Sequence, residues 1–224
     1  MTKATSHLAS RPVALAHRGF SGGTSHALEN SMAAFRAAAE HGYRWVETDV
    51  HATVEGVLVA FHDTTLDRTS DGAGTIAHLP WEVVARACIA GHEPIPRLEE
   101  LLTQLPQVCV NIDVKSAGAV TPLIECIERC GAHDRVRIAS FSDARRRAVL
   151  AGLTRPVRSS PGQSRTTALW LAAHLPVLGS PLVARLAHGI DAVQIPERQG
   201  RLRVLTPRLL RALHGAGLDV HVWT

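Results

Sequence analysis

The chain is poor in aromatic side chains, with four Trp, one Tyr and four Phe among 224 residues. They are not interleaved with basic clusters, so a nucleic-acid interface is not indicated. Lysine is scarcer still: of 24 basic residues only Lys3 and Lys115 are lysines. No apolar run is long enough for a membrane span. The polar stretch 1–12 and the short apolar run after it do not make a secretory leader. The expectation is a cytoplasmic protein without stable membrane insertion. The four cysteines, Cys88, Cys109, Cys126 and Cys130, show neither a disulfide framework nor zinc spacing. Cys126 and Cys130, four apart on a predicted helix, read as small buried residues.

What is present is a chain 46% hydrophobic, able to bury a sizeable core, with a net charge of +4. The arginines are scattered, and the run 145–147 reads as the solvated face of a helix. The mild basicity is compatible with an anionic substrate. Against the shortage of lysine, Lys115 at the end of an apolar run marks a place where a compact ammonium is wanted.

The most informative stretch is residues 45–51, Trp-Val-Glu-Thr-Asp-Val-His. Its β-branched and aromatic residues and its alternation predict a strand. Val46, Thr48 and Val50 share one face; Glu47 and Asp49 share the other. Two like charges there need a cation between them, unless the strand is an edge with a solvated acidic face.

Before it, the spacing predicts a strand at 13–16 ending in His17-Arg18-Gly19, a glycine-rich loop to residue 25, and a helix over 29–41 capped by Asn30 or Ser31. After it, residues 57–61 fold back as an antiparallel strand, because the gap is too short for a parallel crossover. Residues 64–94 read as polar and irregular, and 51–95 as an insertion within a single domain spanning 1–224. Alternation then resumes: helix 96–105, strand 108–115, helix 121–130, strand 135–140, helix 143–152, strand 156–159, a broken helical stretch 166–187, strand 192–195, helix 207–215 and strand 219–223. Seven strands that can lie parallel, joined by helical crossovers, predict an α/β fold of the TIM (β/α) barrel type. Eight units are usual, so a C-terminal βα unit is expected to be missing from the sequence shown. A doubly wound open sheet is the alternative, but its phosphate-binding glycine pattern is absent.

In barrels the strand C-termini build the active site. The polar residues there are His17 and Arg18, Glu47 and Asp49, and Asp113 and Lys115. Asn111, Asp113 and Lys115 share one strand face, repeating the pattern of Glu47 and Asp49. Three converging carboxylates with no cysteine suit one hard cation, Mg²⁺ or Ca²⁺. The other reading is a network of internal ion pairs with Arg18 and Lys115. Among thirteen histidines, His17 and His62 end strands, and Asp63 stands ready to orient His62. Such a pair can serve as general acid and base. His26, His51 and His221 are nearer the mouth than the others, with nothing in their context to raise them.

Taken in order, His17-Arg18-Gly19, Glu29-Asn30, Glu47-Thr48-Asp49-Val50, His62-Asp63 and Asn111-Ile112-Asp113-Val114-Lys115 resemble the glycerophosphodiester phosphodiesterase family. Arg68, Ile95-Pro96, Ser140-Phe141 and Val222-Trp223-Thr224 fit the same pattern. The resemblance covers essentially the whole chain. It implies a TIM barrel with a small insertion after the second strand, and metal-dependent hydrolysis of glycerophosphodiesters to glycerol 3-phosphate and an alcohol. It implies His17 and His62 as acid/base pair, and Glu47, Asp49 and Asp113 as ligands of a divalent cation. It further implies Arg18 and Lys115 at the phosphate, Glu29 beside the site and Trp223 at the glycerol pocket. Two departures stand out: Asp113 where the family usually has Glu, and Leu28 where it often has Pro. A phospholipase D-like enzyme acting on lysophospholipids, or a silent binding protein on the same barrel, are the rival readings.

Overall fold

The computed structural model describes residues 13–20, 28–176 and 178–223. Expectations for residues 1–12, the loop 21–25, His26 and Thr224 lie outside them. Two compact units are distinguished, one formed by Ala14–Val157 and one containing Arg158–Thr224.

The first unit begins with β1 (Leu15–Ala16), α1 (Met32–Glu40) and β2 (Trp45–Ala52). Helix α1 starts where the Ser31 hydroxyl accepts the Ala34 N–H at 3.1 Å, satisfying one of its unpaired donors. Glu29 and Asn30 therefore stand outside the helix. Strand β2 turns back through Gly56 (φ +87°) into β3 (Leu58–Ala60), antiparallel with Val50 opposite Ala60. This is the hairpin the short gap demanded.

The segment expected to be irregular is ordered. It holds a 3₁₀ turn at Ile76–His78, α2 (Trp81–Val84) and a hairpin of β4 (Cys88–Ile89) with β5 (Glu93–Pro94). Phe61, Leu66, Ile76, Val84, Ile89 and Ile95 pack into an apolar cluster of their own. These residues are too widely spaced in sequence to show a period, which is why the pattern hid them.

There follow α3 (Leu98–Gln104), β6 (Cys109–Val114), α4 (Val120–Cys130), β7 (Val136–Ala139) and α5 (Asp143–Gly152). β6 lies parallel between β2 and β7, and β1 lies parallel on the other edge of β2. Val46, Val50, Val110, Ile112, Val114, Val136 and Ile138 pack with Leu98, Leu101, Leu102, Leu123 and Ile127 of the helices. Strand β2 is buried along nearly its whole length, Glu47 and Asp49 included. The solvated-edge reading of this strand is thereby excluded. The arginine run 145–147 is a solvated face only at Arg147: Arg146 is buried, with Asp143 3.4 Å away, and the Arg145 guanidinium donates to the Lys115 carbonyl.

The second unit contains β8 (Arg158–Ser159), α6 (Gln163–Ala173), α7 (Gly179–Leu186), β9 (Ala192–Pro196), the hairpin β10 (Arg198–Gln199) and β11 (Leu202–Arg203), α8 (Pro207–Gly215) and β12 (Asp219–Trp223). β9 and β12 pair in parallel, from Ala192 with Asp219 to Pro196 with Trp223. Leu169, Val183, Val193, Ile195, Leu209 and Leu213 form its core. Pro181, expected as a break, sits in the first turn of α7, where a missing N–H removes no helical bond. The β10–β11 hairpin was not foreseen. Parallel strands alternating with helices in both units are the pattern of the (β/α) barrel class.

Candidate active site

The predicted residues of the first unit converge where β1, β2 and β6 end. Registers place Glu47 beside Asn111 and Asp49 beside Asp113. Alternation then puts all four on one face. Backbone conformation at the end of β1 brings Arg18 over them. Arg18 (φ +55°) and Gly19 (φ +85°) both adopt left-handed geometry. A Cβ on Gly19 would meet the Ala34 Cβ at 2.7 Å, so this position needs glycine twice over.

Arg18 uses its backbone and its side chain. Its N–H donates to Glu47 Oε2 at 3.1 Å. Its Nη1 donates to both Glu29 oxygens at 3.1 and 3.2 Å, and its Nε lies 3.5 Å from Asp49 Oδ2. Lys115 Nζ sits between two carboxylates, 2.8 Å from Asp49 Oδ1 and 2.7 Å from Asp113 Oδ2. The Asp49 and Asp113 charges hold this lysine above the ordinary value, although burial opposes them. The exposed Phe141 ring lies 5.7 Å from the same ammonium. The compact cation that lysine scarcity singled out is thus in use.

Asn30 is a residue that the spacing identified only as a possible cap. It takes left-handed backbone geometry (φ +60°) and is buried. Its amide donates to Asp49 Oδ2 at 3.1 Å and accepts from the Thr48 hydroxyl at 2.8 Å. It therefore orients a carboxylate while Ser31 alone caps α1. Sequence held two signals for this: the Glu29-Asn30 motif, and the tolerance of asparagine for left-handed geometry.

His17 Nε2 lies 3.7 Å from Glu47 Oε2, with its side chain 55% exposed. Partial burial and the neighbouring Arg18 hold its imidazole below the ordinary histidine value. His62 Nδ1 is 2.6 Å from Asp63 Oδ1. Asp63 is lowered to about 2, chiefly by its hydrogen bonds with Arg68. An ionised carboxylate has no proton to give, so the imidazole must donate from Nδ1, leaving Nε2 as the proton-handling atom. His51 is buried, and its Nε2 donates to the His62 carbonyl at 3.2 Å. Nothing in the sequence raised His51, because that contact joins two strands of the hairpin. Trp223 is exposed at the end of β12 in the second unit.

Glu47, Asp49 and Asp113 come together, yet among the described residues no three acidic, histidine or cysteine side chains form a ready metal cage. The charge between them is met in part by Arg18 and Lys115. A surplus remains. Glu47 is raised well above the ordinary carboxylate value by burial and by the Asp49 and Asp113 charges. Asp113 Oδ1 is buried and has no hydrogen-bond partner among the described residues. In the whole cluster five carboxylates (Glu29, Glu47, Asp49, Asp63, Asp113) face three cations (Arg18, Arg68, Lys115). An oxygen-only donor set with excess negative charge fits a hard divalent cation.

The sequence model of the glycerophosphoryl diester phosphodiesterase family matches residues 17–224. A Mycobacterium tuberculosis protein named probable glycerophosphodiester phosphodiesterase 2 is 47% identical over 214 residues, covering 95% of this chain and 79% of its own. The crystal structure of glycerophosphodiester phosphodiesterase from Agrobacterium tumefaciens matches with a TM-score of 0.71 at 24% identity, over 94% of this chain and 84% of that one. An Oleispira antarctica phosphodiesterase, solved with its product sn-glycerol-3-phosphate, matches with a TM-score of 0.75 at 22% identity, over 95% and 84% of the two chains. At these identities the solved structures speak for the fold.

Proposed function

This chain belongs to the glycerophosphoryl diester phosphodiesterase family, and from that premise we propose that it hydrolyses glycerophosphodiesters to sn-glycerol 3-phosphate and an alcohol. The observation that carries the reading is the meeting of two imidazoles, two cations and three buried carboxylates at one set of strand ends. The bound substrate is a phosphodiester anion. Arg18 and Lys115 offer it N–H donors, and stabilise the charge that grows on the phosphoryl oxygens as the P–O bond breaks. One imidazole takes a proton from the attacking hydroxyl; the other returns a proton to the departing alkoxide oxygen. Asp63 keeps the His62 ring in the tautomer that leaves Nε2 to exchange protons, and steadies the ring's charge when Nε2 is protonated. Burial and the neighbouring Arg18, which hold His17 below the ordinary histidine value, favour its neutral, proton-accepting form. Glu47, Asp49 and Asp113 would hold one divalent cation, Mg²⁺ or Ca²⁺. When bound, that ion supplies Lewis-acid stabilisation of substrate oxygens. Four free cysteines among the described residues suit a reducing compartment such as the cytoplasm.

The test is a coupled assay for glycerol 3-phosphate released from glycerophosphocholine, with and without EDTA. Release that EDTA abolishes and Mg²⁺ or Ca²⁺ restores supports the reading. Release only from lysophospholipid points instead to phospholipase D-like chemistry, and release from neither substrate to a binding protein.

A further inference from the structure

Between the two histidine-bearing segments runs a series of charged side chains of alternating sign. Glu29, buried ahead of α1, takes Arg18 Nη1 on both oxygens and Arg68 Nη2 on Oε1. Arg68 Nε donates to Asp63 Oδ2 at 2.5 Å, and Nη2 donates to Asp63 Oδ1 at 3.1 Å. Asp63 Oδ1 also receives His62 Nδ1. Arg68 thus grips one carboxylate with a two-point fork while its Nη2 reaches a second. A flexible carboxylate beside a half-exposed imidazole has several rotamers open to it; a forked guanidinium leaves it one.

We propose that Arg68 is a positioning residue: it fixes the Asp63 carboxylate on His62 Nδ1 and, through Glu29, ties the His62 segment to the Arg18 end of the site. The proposal rests on the catalytic reading of His62. It goes beyond that reading in giving the insertion a task, since Arg68 reaches the chemistry from there. The titratable and charged groups around His62 are Asp63, Arg68, the nearby His17 and the His51 ring on its carbonyl.

The sign of one measurement separates positioning from plain electrostatics. Removing the Arg68 charge with Asp63 left in place would raise the His62 titration, because a nearby cation disfavours imidazolium. Letting Asp63 swing away would lower it. The experiment follows the His62 ring-proton resonance against pH, assigned by its loss in His62→Ala, in the intact chain and in Arg68→Gln, Arg68→Lys and Asp63→Asn. The same variants are assayed for glycerol 3-phosphate release. The expected result is a lower titration in Arg68→Gln and partial recovery in Arg68→Lys. kcat should fall about 10- to 100-fold with KM within about threefold, the mark of a displaced catalytic group. Arg68→Gln combined with Asp63→Asn should be no worse than Asp63→Asn alone, since both act through one contact. A raised or unmoved titration, or additive losses, overturns the proposal. If the unaltered chain releases no glycerol 3-phosphate, the functional reading fails, while the titration still reports on Arg68. Should Arg68→Gln not fold, Arg68→Lys and Asp63→Asn carry the same comparison.

Discussion

Replacing Lys115 by methionine removes the one ammonium placed between Asp49 and Asp113 while keeping its stem volume. Asp49 is 1% exposed and Asp113 8%, so neither carboxylate can turn to water for compensation. Removing one partner of a buried pair costs about 3–5 kcal/mol. The ammonium is itself 18% exposed, which puts the cost at the lower end, about 3 kcal/mol. For a chain of this length that corresponds to a fall in Tm of about 6–12 °C. The loss must depend on pH. Glu47 already has a folded-state pKa above its unfolded value, through burial and the Asp49 and Asp113 charges, and Lys115 opposes that rise. A carboxyl raised in the folded state binds protons better there than in the unfolded chain. Its contribution to stability is therefore lost as pH rises from the unfolded value through the folded one. Lys115→Met raises Glu47 further, so its deficit is larger at pH 8 than at pH 5. Mg²⁺ or Ca²⁺ should restore more stability to the variant than to the unaltered chain, because the vacated space lies among three carboxylates. Thermal melts at both pH values, with and without the ion, measure all of this. A Lys115→Met melt within about 1 °C of the unaltered chain, or an equal cation shift in both, refutes the charge reasoning.

His17→Ala and His62→Ala should each lower turnover about 10²- to 10⁴-fold while the melting temperature stays near that of the unaltered chain, as steady-state assay and calorimetry will report. Gly19→Ala forces a Cβ onto Ala34 at a left-handed position and should destabilise by about 2–3 kcal/mol in urea unfolding; an unchanged midpoint would contradict the close approach. Asp113→Glu lengthens the carboxylate whose Oδ1 has no hydrogen-bond partner among the described residues. Tighter divalent binding by calorimetry is expected, and weaker binding would mean that the shorter acid suits this site.

The helices and parallel strands of the first unit were legible because burial imposes a period. Valines at 46, 50, 110 and 114 had to face the helices, which left Glu47, Asp49, Asn111 and Asp113 together on the opposite side. Motif spacing likewise announced His17, His62 and Lys115. The apolar cluster of the insertion is not legible in the sequence because its members come from short, separate segments with no common period. Motifs name Asn30 and Arg68 but not what they touch, and nothing raises His51, because their partners, Asp49, the His62 carbonyl and the Glu29–Asp63 pair, lie 19, 11 and up to 39 residues away.

Sequence by itself determined which side chains share a strand face and which charges must be compensated, since both follow from local geometry and the cost of burying charge. Tertiary structure alone decided what does the compensating. It set Lys115 between Asp49 and Asp113, gave Glu29 two guanidinium partners, and left one oxygen of Asp113 without a partner among the described residues. Those outcomes depend on distances of a few ångströms between segments far apart in the chain, and residue order does not record such distances.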